Sequence, residues 1–165
     1  MQHFQHLTDP RMNEAAWRAL DLMRAYAARD RAAIIEHLAN LEPDQLEYAA
    51  GVLITMYNDT RQVLNDTERP CNPATVRREV EAVACLAPAE HEFAVAVTAL
   101  RLANGEVKMQ EVANTTEIRD RIHTVAVYSL ALQLAVFSRK GVQRSLDEAA
   151  RMNEAIGGPR PYSVA

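Results

Sequence analysis

Sixteen consecutive residues, Ile122-His-Thr-Val-Ala-Val-Tyr-Ser-Leu-Ala-Leu-Gln-Leu-Ala-Val-Phe137, constrain this chain more than any other feature. They contain no Gly, Pro, Asp, Glu, Lys or Arg, and their apolar side chains fall on nearly every face of a helical wheel. A helix of that kind has to be surrounded. Ser129 and Gln133 interrupt the apolar run, so it does not read as a membrane span. The expectation is a central helix with others packed round it. The competing expectation is that one of its faces completes a homodimer, which would hide apolar surface left uncovered by the neighbouring helices.

The rest of the composition supports the helical reading. Ala occupies 28 of 165 positions, aromatic residues are only 5%, and five Gly and seven Pro leave long uninterrupted segments. This predicts an all-α protein, a helical bundle of about eight helices built from antiparallel hairpins. A single domain is expected over residues 1–156, followed by a flexible C-terminal tail over 157–165. A formal net charge of −4 gives no field for nucleic acid. Sixteen Arg against two Lys, Lys108 and Lys140, reads as a GC-rich coding sequence and hence a bacterial source. The first residues, Met1-Gln-His-Phe-Gln-His6, lack a basic stretch followed by an apolar one, which predicts a cytoplasmic protein. Cys71 and Cys85 stand 14 apart with no second cysteine or histidine at metal-binding spacing, and read as two semi-buried thiols.

Turn and cap residues divide the chain. Helices are expected from just after Pro10 to Ala28, from Arg31 to Ala39 with Asp30 as cap, and from Pro43 to Leu64. After a loop over Asn65 to Pro73 come Pro73 to Leu86, a helix opened by Ala87-Pro88 to Ala103, and a short helix from Glu106 to Ala113. Asn114 with Glu117 predicts a capping box for the longest helix, continuing to Lys140 and stopping at Gly141. Ser145 and Glu148 predict the start of a last helix ending at Ile156.

Residues 35–52 and 80–97 align at an offset of 45, with identities at Glu36/Glu81, Ala39/Ala84, Leu41/Leu86, Pro43/Pro88, Glu47/Glu92, Ala49/Ala94 and Val52/Val97. The pattern describes a repeated helical hairpin: a helix ends on Leu, Pro opens the next, and an aromatic five residues later, Tyr48 or Phe93, folds back over the turn. A more degenerate third copy falls over 106–140.

Few residues suggest chemistry. Glu117, Asp120 and His123 lie at steps of three on one helix face, and Asp120-x-x-His123 has the spacing of a metal motif. Its second half is missing, since Glu36-His37, Glu47 and Glu90-His91-Glu92 do not repeat the spacing. The metal candidates are therefore His91, Asp120 and His123, with a solvated, salt-bridged first turn as the competing account. His3 and His6 read as an ordinary terminus. No nucleophile elbow or phosphate-binding glycine loop is present, so no catalytic residue, cofactor or enzyme activity is expected. Met109–His123 has the outline of a helix-turn-helix, but it leads into the apolar helix and offers no polar reading face. The reading is a non-enzymatic interaction or regulatory module for a protein partner, a second copy of itself in a homodimer included. A small-molecule- or metal-binding bundle is the alternative, and a DNA-binding regulator comes third.

Overall fold

The computed structural model describes residues 9–164, which form eight helices: α1 (Pro10–Ala28), α2 (Arg31–Glu36), α3 (Pro43–Asp66), α4 (Pro73–Ala84), α5 (Ala89–Ala103), α6 (Met109–Thr115), α7 (Ile118–Val136) and α8 (Arg139–Gly157). No strand occurs among the described residues, so the fold is all-α, and the helices pack as a bundle. No described helix is long and apolar enough to cross a membrane. His3, His6 and Ala165 lie outside the described residues.

The axis of the bundle is α7. It packs against α3, α4, α5 and α1, and every residue from Ile122 to Gln133 is buried. Burying a Leu or Ile side chain contributes about 1.5–3 kcal/mol, so a solvent face on α7 would forfeit several such contributions. The surrounding helices leave none over these twelve residues. Because one chain encloses them, these twelve residues have no face for a second copy. The homodimer expected through them lacks a surface there.

Local chemistry sets the helix ends. Asp9 caps α1 by accepting from Arg11 N at 2.9 Å, with Pro10 at the first helical position. Arg29 closes α1 in the left-handed region at φ 59°, and Asp30 N donates to Ala25 O at 2.9 Å. Asp30 then caps α2 through Ala33 N. Asn72 and Pro73 open α4, and Asn104 with Gly105 at φ 72° ends α5.

Several expected boundaries move. Glu117, instead of Asn114, caps α7, its carboxylate accepting from the backbone N–H groups of Arg119 and Asp120 at 3.1 Å each. The long helix stops at Val136 instead of Lys140, because Phe137 is extended at φ −110° and Ser138 starts a new helix by accepting from Gly141 N. Ser145 accordingly lies within α8 and caps nothing.

The two hairpins also differ. Helices α4 and α5 pack against each other, whereas six-residue α2 packs against α1. Val80 is fully buried while its counterpart Ile35 is 58% exposed. Phe93 is 83% exposed and does not fold back over its turn.

Candidate functional site

The sequence candidates converge where the first turns of α5 and α7 meet. His91, at the start of α5, donates from Nδ1 to Asp120 Oδ1 at 2.7 Å. Its ring stacks on that of His123, with centroids 5.5 Å apart. His123 Nδ1 is 2.8 Å from the hydroxyl of Tyr26 on α1, in a buried hydrogen bond. A polar file therefore runs from Tyr26 inside the bundle through His123 and His91 to Asp120 at its edge. Burial, together with nearby His91 and Arg119, pushes His123 down to about 3, and burial pushes the Tyr26 phenol up. Both inner groups are thus neutral at physiological pH.

Glu117 completes a group of three: His91, Glu117 and Asp120 each place one donor atom within 4.8 Å of the others. One nitrogen and two oxygens suit a borderline divalent cation. The same atoms already have work in the fold. Glu117 caps α7, and Asp120 holds His91. Burial alone would raise the Glu117 carboxyl, but the two backbone donors, together with nearby His91 and Arg119, hold it below the ordinary value. The site also receives the positive ends of α5 and α7, which favour carboxylates and oppose a cation. His123 does not join the three-donor group, since its ring is turned to Tyr26.

A second feature lies elsewhere. Helix α8 packs mainly on α1 and touches α7 lightly, which opens a groove between α8 and the second half of α3. The groove has a volume of about 390 Å³. Met56, Thr60 and Val63 line one wall, Val142, Leu146, Ala149 and Met152 the other, and Gln133 and Phe137 the floor. Gln133 Nε2 donates to Thr60 Oγ1 at 3.2 Å, so the floor's amide is already satisfied from the α3 wall. Asp59 and Glu148 supply acidic groups, and no described His or Cys lines it. It shares no residue with the histidine cluster. Cys71 and Cys85 are free, half-buried thiols.

A third arrangement has no counterpart in the sequence reading. Residues 158–162, within the stretch expected to be a flexible tail, lie against α1. Arg160 donates from Nε and Nη2 to the two oxygens of Asp21 at 2.7 and 2.8 Å, and the Tyr162 hydroxyl donates to Asp21 Oδ2 at 2.7 Å. Trp17 Nε1 donates to Gly158 O at 3.2 Å. The sequence does carry a signal for it: Asp21 is a lone carboxylate in the otherwise apolar run Leu20-Asp-Leu-Met23, one turn after Trp17.

Comparison with family models, curated proteins and solved structures gives no match to this chain.

Proposed function

We propose that this protein is a non-catalytic interaction module that receives an amphipathic helix of a partner protein in the groove between α3 and α8. The observation that carries this reading is the spacing of the groove walls. Met56, Thr60 and Val63 recur at steps of four and three, and Val142, Leu146, Ala149 and Met152 at steps of four, three and three. Two such ridges side by side complement the apolar stripe of a third helix. Val63 and Met152 remain 48% and 58% exposed, so the apolar strip continues to the lip. Methionine on both walls gives a surface that adapts to its occupant.

A synthetic helical peptide with a leucine stripe at steps of three and four tests the reading, beside a control of equal composition with the stripe scrambled. The striped peptide should bind the chain at micromolar strength, and V63E together with M152E should weaken it at least about tenfold while leaving helical content unchanged. Equal binding of both peptides, or indifference to the two substitutions, refutes the groove. The competing reading, a metal-dependent bundle, rests on the His91, Glu117 and Asp120 group. A stoichiometric transition metal in the purified protein, lost on His91→Ala, would replace the groove reading with that one.

A further inference from the structure

Asp21 is only 4% exposed, yet it sits on α1 between Leu20 and Leu22. A carboxylate buried to that extent requires cationic and hydrogen-bonding partners. The nearest cation on its own helix, Arg24, approaches no closer than 3.7 Å and turns its guanidinium to Asp147 at 2.8 Å. The demand is met from outside α1, by residues 158–162. Arg160 engages Asp21 through two parallel hydrogen bonds, a geometry that a guanidinium provides and an ammonium does not.

The contacts around this pair resemble the capture of a peptide. The Arg160 guanidinium lies over the Trp17 ring at 4.5 Å, and Arg18 lies over the Tyr162 ring at 3.6 Å. Asn13 Nδ2 and Trp17 Nε1 donate to the backbone carbonyls of Pro159 and Gly158, so main chain is read as well as side chain. The α1 surface therefore holds the arginine, the tyrosine two residues later and the backbone before them.

The fit is incomplete. Asn13 Oδ1 and His37 Nδ1 are buried without hydrogen-bond partners, on residues 9% and 6% exposed, and the His37 ring is 6.3 Å from that of Tyr162. Pro159 and Pro161 carry no N–H, so the segment arrives short of donors. Gly157 ends α8, and Gly158, at φ 96°, is the turn through which the segment departs.

We infer that the surface formed by Asp21 and Trp17 of α1, with His37 at the end of α2, is a recognition site for a non-helical peptide segment carrying arginine followed two residues later by tyrosine. Residues 158–162 are its internal occupant, which an external segment displaces. The site shares no residue with the α3–α8 groove and stands independently of it.

The test uses the full chain with Arg160→Ala and Tyr162→Ala, which removes the occupant's two anchors. A fluorescein-labelled peptide, Gly-Gly-Pro-Arg-Pro-Tyr-Ser-Val, is titrated in and read by anisotropy, with circular dichroism reporting helical content. Saturable binding is expected, at least about tenfold tighter than to the unsubstituted chain, where the tethered segment competes at an effective concentration on the order of millimolar. Trp17 is the only tryptophan, so its emission should shift as the peptide's arginine takes its place over the ring. Adding Asp21→Asn to the double variant should weaken the peptide at least about tenfold, since the charge-assisted pair is lost. Absence of saturable binding, or binding indifferent to Asp21→Asn, overturns the proposal. Loss of helical content in the double variant overturns it too, because residues 158–162 would then be a part of the fold and not an occupant.

Discussion

Protonating His123 should destabilise this protein, and the size of the effect follows from its surroundings. The imidazole is 3% exposed, and its value falls from the ordinary 6.5 to about 3 through burial first, then through His91 and Arg119. A histidine depressed in the folded state resists protonation there and accepts it freely once unfolded. Its contribution is complete above the unfolded value and is lost as pH falls from 6.5 towards 3. Linkage between those two values gives a loss of about 2 kcal/mol by pH of about 5, and about 4 kcal/mol by pH of about 3. His37, lowered by burial as well, adds in the same direction. The comparison to make is with His123→Phe combined with Tyr26→Phe, which removes the titrating group without leaving the Tyr26 hydroxyl unpaired. Urea unfolding followed by circular dichroism between about pH 7.5 and about pH 5 should show the double variant losing about 2 kcal/mol less than the parent. Equal losses in both proteins would refute the argument, as would an imidazole resonance of His123 that titrates near 6.5.

Two further predictions concern the scaffold. Leu130 is fully buried near the middle of α7, and Leu130→Ala should cost about 3 kcal/mol in urea unfolding; a cost below about 1 kcal/mol would mean that α7 is not the enclosed axis described above. Gly51 lies inside α3, and a methyl group on its Cα would meet no neighbouring atom within 4 Å. Gly51→Ala should therefore raise stability by about 0.5–1 kcal/mol, and a lowered melting temperature would contradict this.

Much of the architecture was legible because it is written in local chemistry. Pro10, Asp30, Pro43 and Pro73 mark helix starts through caps and fixed backbone angles, and the observed helices begin there or one residue on. The apolar run from Ile122 announced the enclosed helix. The break at Phe137 was not legible, since Ser138-Arg-Lys-Gly141 contains no proline and Ser145 with Glu148 imitates a helix start. Which of several plausible caps is used depends on where neighbouring helices leave room. His91 and Asp120 could be named as candidates by type, but their 2.7 Å contact joins residues 29 apart and follows from packing alone. The bond of Tyr26 to His123 spans 97 positions and likewise follows from packing. The role of Asp21 is not legible along the sequence because Arg24, the cation one turn away, engages Asp147 more closely, and its hydrogen-bond partners, Arg160 and Tyr162, stand 139 and 141 residues away.

The enclosure of α7 also governs the order in which this chain is able to fold during synthesis. The four helices that line it, α1, α3, α4 and α5, are all complete by Ala103, whereas α7 begins at Ile118. Until residues 118–136 are made, the inward-facing residues of those helices lack the neighbour that buries them in the finished fold. Chains truncated before Ile118 should therefore aggregate more readily than chains that extend past Val136, which sedimentation of the two translation products would measure.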